Sequence, residues 1–195
     1  MKLQDRLPNG VWVRGHYYKL DLDFRNVLNL IDTLARNDLF DDARDYRALK
    51  CIMKRPKKGV LNAAKALLFP ASQKPASKER ITDFVQDADL IRAAFMQVYG
   101  INLFRDRLHW LEFSALLAGL PEGNRYSEVL GIRARPMPKA TKYNEEERKW
   151  LAKAKADLAL KLTDEEREQN FEKSLRNVAN TLLVLADYKG GEDHG

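Results

Sequence analysis

The 195-residue chain has a single cysteine, Cys51, so it cannot form an intramolecular disulfide. Leu49, Ile52 and Met53 lie beside that thiol, which predicts a buried side chain rather than a nucleophile. No apolar run approaches the roughly 18 residues that a membrane-spanning helix needs. The first residues, MKLQDRLPNGVW, lack the apolar core of a signal peptide. We therefore expect a protein that works in a reducing cytoplasm.

The sequence also lacks the patterns of common active sites. Its three histidines, His16, His109 and His194, show no HxxxH or HExxH spacing, so no zinc site is predicted. Neither a GxSxG nucleophile motif nor a glycine-rich phosphate motif occurs. His109 and Glu112 stand at i,i+3, and we interpret them as a helix-surface pair or His109 as a satisfied interior histidine, because no third group orients a catalytic dyad. We expect no enzyme activity, no catalytic residue, no cofactor and no metal.

Two acidic pairs have a capping interpretation and a metal-binding one. Asp21 with Asp23 and Asp41 with Asp42 offer oxygen ligands to a divalent ion. They stand at the exit of a predicted hairpin and at the start of a predicted helix, where carboxylates commonly cap helices. We therefore interpret both pairs as caps.

Apolar spacing predicts a mostly helical fold whose core is the stretch 83–120. Its first helix carries one apolar stripe, with Asp83 as the predicted cap and Gly100 as the left-handed end: Phe84, Ala88, Ile91, Phe95 and Val98. The second helix is apolar on nearly all sides and stops at 119–121, which indicates burial on most faces. The other elements are therefore expected to pack around this pair.

The remaining elements follow from turn and capping signals. A hairpin over 11–20 turns at Arg14-Gly15, and helices are predicted from Asp23 to about Arg36, from the acidic run 38–42 to Pro56, and over 60–68. A short helix over 125–130 and an extended segment over 132–138 come next. Capping-box patterns then open two charged helices, one over 145–160 from Asn144 and Glu147, and one after Thr163.

The expected fold class is thus mostly α, a compact helical domain with a small N-terminal β-hairpin and a charged C-terminal helical pair. We divide the chain into a hairpin-plus-core domain, 1–138, and a C-terminal helical hairpin, 139–195. That hairpin either docks on the core or meets another chain, because its apolar seam is narrow.

One region is strongly basic. Residues 46–78 contain no Asp or Glu and nine cations, whereas the chain as a whole carries a net charge of +6. Such a region follows a phosphate backbone, meets an acidic partner, or is simply solvated. Tyr46 and Phe69 are its only aromatic residues, which is sparse for stacking on bases. The candidate partner-binding residues are four of these cations together with apolar residues on the hairpin and the last two helices: Lys54, Arg55, Lys57, Lys58, Trp12, Trp150, Phe171, Leu175, Val178 and Leu182.

Three blocks in order resemble the gene-product-fifteen family of siphophages and prophages of Gram-positive bacteria. The first follows the hairpin with Tyr18, Leu20, Asp21, Asp23, Phe24 and Arg25. The second holds Asp87, Ile91, Ala94, Phe95, Tyr99, Gly100, Ile101, Leu103, Leu108, His109, Trp110, Phe113, Leu116, Leu117 and Leu120. The third is Gly131-Ile132-Arg133. The resemblance covers roughly residues 1–160, and the helix after Thr163 departs from it as an extension.

The resemblance implies a role in phage tail assembly. Genes of that family usually lie between those of the major tail protein and the tape-measure protein, a position similar to that of tail-assembly chaperones. The implied partners are the tape-measure protein, further copies of the chain, and the tail-tube protein. No membrane or small-molecule partner is implied. The implied location is the host bacterial cytoplasm, with absence from the mature virion. The alternative is a nucleic-acid-associated phage protein that binds through the basic region 46–78.

Overall fold

The computed structural model describes residues 4–70 and 80–162 of the chain. Those residues form a two-stranded hairpin and seven α-helices, so the expected mostly α fold with an N-terminal hairpin is confirmed. The elements are β1 (Gly10–Val13), β2 (His16–Lys19), α1 (Phe24–Leu34), α2 (Asp41–Ile52), α3 (Val60–Leu68), α4 (Ala88–Tyr99), α5 (Trp110–Ala118), α6 (Arg125–Ala134) and α7 (Glu145–Asp157).

Contacts group the chain into two compact units, Met1–Leu158 and Ala159–Gly195. The first unit includes α7, whose Leu151 is fully buried. The second unit is described only over 159–162. The predicted helix after Thr163, with its seam of Phe171, Leu175, Val178 and Leu182, lies outside the described residues. The division of the chain at residue 138 stays a prediction.

The hairpin closes as the sequence predicts. β1 and β2 pair antiparallel, with Val11 opposite Tyr18 and Val13 opposite His16. Arg14 and Gly15 both have positive φ, at 49° and 79°, the backbone that a two-residue turn of the primed type needs. Val11 is buried, whereas Trp12 is exposed, so one face of the hairpin packs on the helices and the other meets solvent.

A stack of three phenylalanine rings joins α1, α4 and α5 at the centre of the core. Phe113 is 1% exposed and lies between Phe24 and Phe95, with ring centroids 4.7 and 5.3 Å away. Trp110, one turn earlier on α5, donates its indole N–H to the carbonyl of Leu68 at 3.2 Å and so ties down the end of α3. The stretch 83–120 is therefore the packing centre that its apolar pattern predicts.

The two helices of that stretch are shorter than the pattern indicates. Asp83 does accept hydrogen bonds from the backbone N–H groups of Val85 and Gln86, at 2.9 and 2.8 Å, but it closes a turn. The helix α4 begins only at Ala88. At the other end, Gly100 has φ of 67° and ends α4 in the left-handed conformation, as predicted.

Two local predictions near α6 and α7 are wrong. Residues 132–134 are helical rather than extended, because Pro136 restricts only the residue before it and the side chain of Arg133 is held in the core. Asn144 does not form the predicted capping box with Glu147. Its side chain instead bonds the backbone of Thr141 and Lys139, at 2.9 and 2.8 Å, so it stabilises the preceding turn.

Candidate functional site

Several residues of types that are common in active sites have structural roles in this fold. His109 is the N-cap of α5: its Nδ1 accepts from the backbone N–H of Leu111 at 3.2 Å, and its Nε2 donates to the carbonyl of Pro8 at 2.8 Å. Both ring nitrogens are thus occupied by backbone groups. Cys51 is half-buried, with Sγ 3.5 Å from the carbonyl of Arg47. Neither geometry is that of an activated base or nucleophile.

The first acidic pair is used in capping and ion pairing. Asp23 accepts the backbone N–H of Arg25 at 3.1 Å and is the N-cap of α1. Its other oxygen accepts from Arg107 at 3.1 Å, and Arg107 also bonds Asp21. These contacts hold the loop before α5 against the start of α1. Among the described residues, no cluster of three or more His, Cys, Asp or Glu side chains could hold a metal ion.

The second acidic pair lies in the first turn of α2. Neither Asp41 nor Asp42 makes a side-chain cap, because the N-cap residue there is Phe40 and it has no side-chain hydrogen bond. Their carboxylates still lie at the positive end of the helix dipole, where negative charge is stabilising. The interpretation as caps is therefore correct for Asp23 and wrong in detail for Asp41 and Asp42.

The described part of the chain contains an open apolar groove. It has a volume of about 620 Å³ and lies between α1, α5 and α6. Its walls are mostly aromatic and aliphatic side chains: Ile31, Phe69, Phe84, Trp110, Phe113, Leu117, Ala118, Leu120, Tyr126 and Leu130. Ser114, Glu122 and Ser127 are its polar lining residues. Grooves of this composition bind apolar faces rather than charged substrates.

Ring contacts and a hydrogen bond hold the aromatic wall of the groove. Phe69 and Phe84 both meet Trp110 edge-on, with ring centroids 5.9 and 6.3 Å away. The hydroxyl of Tyr126 is within 2.9 Å of the Thr82 hydroxyl, so its polar end is satisfied and its ring is presented to the groove. The surface is therefore preorganised for an apolar ligand.

Sequence reasoning assigned the groove residues of the stretch 83–120 to the core and missed the groove. The available signal was that α5 is apolar on nearly every side, which is more apolar surface than the neighbouring elements cover.

A buried ion pair fixes α6, which forms one wall of the groove. Arg133 donates to both oxygens of Asp87 at 2.8 and 2.9 Å, and the two side chains are 12% and 2% exposed. Its Nε also donates to the carbonyl of Leu158 at 2.7 Å. Burial raises the pKa of Asp87, but hydrogen bonds from Arg133 and from the Asp83 amide outweigh that effect and hold this pKa below its usual value.

The four predicted cationic residues lie together in the loop between α2 and α3. Lys54, Arg55, Lys57 and Lys58 are all exposed, and none has an ion-pair partner among the described residues. The loop passes beneath the hairpin, where Val13 lies 3.8 Å from the position that a Cβ on Gly59 would take. A cationic, fully solvated surface follows.

The comparison with protein families decides which group of proteins the chain represents. A family model described as Bacteriophage Gp15 protein matches residues 3–160. The chain belongs to the bacteriophage Gp15 family. The Gp15 match includes every described helix and the whole groove, so the resemblance in the three blocks is confirmed. Neither a curated protein nor a solved structure matches the chain.

Trp12 and Trp150 are the other candidate partner-binding residues that the structure of this Gp15 family member describes. Trp12 is 70% exposed and packs against Tyr17, with ring centroids 5.4 Å apart, on the hairpin face that points away from α3. Trp150 is 56% exposed on α7. The described candidates thus lie on three elements, namely the loop between α2 and α3, the hairpin and α7. Within the described residues, no helix is long and apolar enough to cross a membrane.

Proposed function

We propose that this Gp15-family protein is a non-enzymatic tail-assembly chaperone. In this role it binds the phage tape-measure protein, associates with further copies of itself in the host cytoplasm, and leaves before the virion is complete. The observation that carries the proposal is the open groove of about 620 Å³ with aromatic walls. An amphipathic helix lays its apolar face into such a groove, and a tape-measure protein is a long helical client.

The low charge of the groove lining supports a reversible contact with the client. Among the described residues that line the groove, Glu122 alone is charged, so binding depends on apolar burial more than on a particular charge pattern. Such recognition tolerates many client sequences, since any segment with apolar residues on one helical face satisfies it. A chaperone that coats a long rod needs this tolerance, and it needs no reacting group.

The test is co-purification with the tape-measure protein encoded by the same genome. Ala118 and Ala115 are both exposed on α5, but only Ala118 lines the groove. Ala118→Arg places a long cation in the groove, and Ala115→Arg is its matched control. We expect the wild type and Ala115→Arg to retain the client and Ala118→Arg to lose it. The proposal fails if the wild type never retains the client, or if both arginine variants retain it equally.

The basic loop supports a second candidate function, binding to nucleic acid. Its four exposed cations have no described ion-pair partner, which leaves them available to phosphates. Binding to an oligonucleotide should then weaken steeply with salt, and glutamate at positions 54, 55, 57 and 58 should abolish it. An absence of binding at low salt rules this function out.

A further inference from the structure

The solvent face of α2 has an ordered charge pattern that the proposed function leaves unused. Asp42, Tyr46 and Lys50 follow one another at i, i+4 and i+8, so they share one face of the helix. All three are exposed, and Tyr46 is 54% exposed although it is a large aromatic residue. The other side of the helix is buried against the core through Ala48 and Ile52. The exposed face thus presents an acidic, an aromatic and a basic side chain in order.

We propose that this face binds the same face of a second copy, with the two α2 helices antiparallel and the two-fold axis at Tyr46. Asp42 and Lys50 each lie four residues from Tyr46. In an antiparallel pair, Asp42 of one copy therefore lies opposite Lys50 of the second copy, and the reverse contact is made at the other end. The two Tyr46 rings meet at the axis. A two-fold interface requires this self-complementary arrangement.

The same symmetry extends one step further along the chain. Asp38 and Lys54 lie in the loops that flank α2, each eight residues from Tyr46, and both are exposed. Asp38 bonds Arg36 within its own chain at 2.6 Å, but that pair is itself exposed and can exchange partners. Lys54 has no ion-pair partner among the described residues. The loop before α2 therefore offers an acidic residue and the loop after it a basic one, so these charges beyond the helix ends also match when the helices run in opposite directions.

Charge order also argues against other occupants. A parallel helix pair would place Asp42 against Asp42 and Lys50 against Lys50, which is unfavourable at both ends. A nucleic acid laid along the face would meet Lys50 at one end and be repelled by Asp42 at the other. Asp42 and Lys50 have no side-chain partner among the described residues, so a second copy gives each of them its first.

The contact should be weak and sensitive to salt. The helix has 12 residues, or about 18 Å at the usual rise per residue, so the pairing surface is short. Its ion pairs remain near solvent, where salt screens them. No residue of α2 lines the apolar groove, so pairing through α2 leaves the groove of each copy open. The inference rests on the proposed function only in that self-association is part of it.

Charge-swapped variants test the pairing. By sedimentation velocity at low salt, the wild type should form a concentration-dependent dimer that dissociates when salt is raised. Asp42→Lys alone and Lys50→Asp alone each place like charges together at both ends, and each should weaken the dimer by about tenfold or more. Mixing these two variants restores opposite charges at both ends, as does the double variant on one chain. Both should dimerise again. Glu146→Lys, an equally exposed reversal on α7, should change nothing.

Three results would overturn the inference: a wild type that stays monomeric at low salt, single variants that dimerise normally, or swapped pairs that stay monomeric. Circular dichroism of each variant shows whether it is folded, and all substituted positions are exposed. Client capture by the groove is measured separately. A wild type that captures the client but stays monomeric refutes the pairing alone, and a wild type that dimerises but never captures the client refutes the chaperone function alone.

Discussion

Replacing Arg133 by methionine removes the partner of the most buried carboxylate in the described core. Asp87 is 1% exposed and accepts two of the guanidinium hydrogen bonds of Arg133. Methionine fills similar volume but leaves the carboxylate without its counter-charge. Removing one partner of a buried pair typically costs about 3–5 kcal/mol, because an uncompensated charge remains in a low-dielectric site. At a urea m-value of about 2 kcal/mol/M, this lowers the unfolding midpoint by roughly 2 M.

The difference in unfolding free energy between the wild type and Arg133→Met should change with pH in one direction. In the wild type, the pKa of Asp87 lies below its usual value. The pair therefore stabilises the fold above the unfolded-state pKa, and this stability is lost as pH falls through the lowered folded-state pKa. In the methionine variant the Asp83 amide remains but the guanidinium is lost, so burial raises the pKa of Asp87 relative to the wild type. The difference between the two proteins is thus largest near neutral pH and shrinks in acid.

Urea denaturation at several pH values measures both effects. Arg92→Met is the control, since Arg92 forms an i,i+3 pair with the exposed Asp89 and should cost less than about 1 kcal/mol. A cost below about 1 kcal/mol for Arg133→Met at neutral pH, or a difference that grows in acid, would refute the reasoning.

Two further predictions concern the ring stack and the glycines. Phe113→Ala removes the central ring of the stack and should cost about 3–5 kcal/mol in urea denaturation, whereas Phe104→Ala, at a 72% exposed position, should cost less than about 1 kcal/mol. Gly59→Ala should destabilise by about 1 kcal/mol because φ is 87°, while Gly131→Ala, in the helix α6 with nothing within 4 Å of the new Cβ, should raise the thermal midpoint. Equal costs within either pair would contradict the structure.

Local signals predicted most of the elements. The turn at Arg14-Gly15 and the helix end at Gly100 depend on backbone conformations that glycine adopts readily, so a short window of sequence contains them. The N-cap at Asp23 has the same local character. The apolar stripe of 83–120 identified the core because a helix pair with that many apolar side chains is stable in water only when most of them are buried.

Contacts between residues far apart in the sequence could not be predicted from such short windows. Asp87 and Arg133 are 46 residues apart, and no periodicity connects them, so neither the buried pair nor the longer α6 was predicted. The capping box at Asn144 failed for a related reason, because the carbonyl of Lys139 and the amide of Thr141 compete for the same side chain. A capping pattern indicates which groups a side chain can hydrogen-bond, and the tertiary fold determines which of those groups lies within reach.

The groove illustrates the same limit for the functional surface. Its residues were identified as apolar and placed on helices, but whether neighbouring elements cover them depends on tertiary packing. The structure leaves Leu117, Ala118 and Leu120 beside an open space, although the same pattern would serve a closed core. The basic loop, in contrast, could be predicted from the sequence. Four cations lie close together in its sequence, and Lys and Arg without an acidic partner are usually exposed.

Tail formation by a phage that lacks this gene tests the chaperone function most directly. The deletion phage would be complemented with the wild-type gene, with Ala115→Arg or with Ala118→Arg, and lysates would be examined by electron microscopy for tails of normal length. The account predicts that the wild type and Ala115→Arg restore normal tails and that Ala118→Arg does not. Normal tails in the uncomplemented deletion phage, or full rescue by Ala118→Arg, would contradict it.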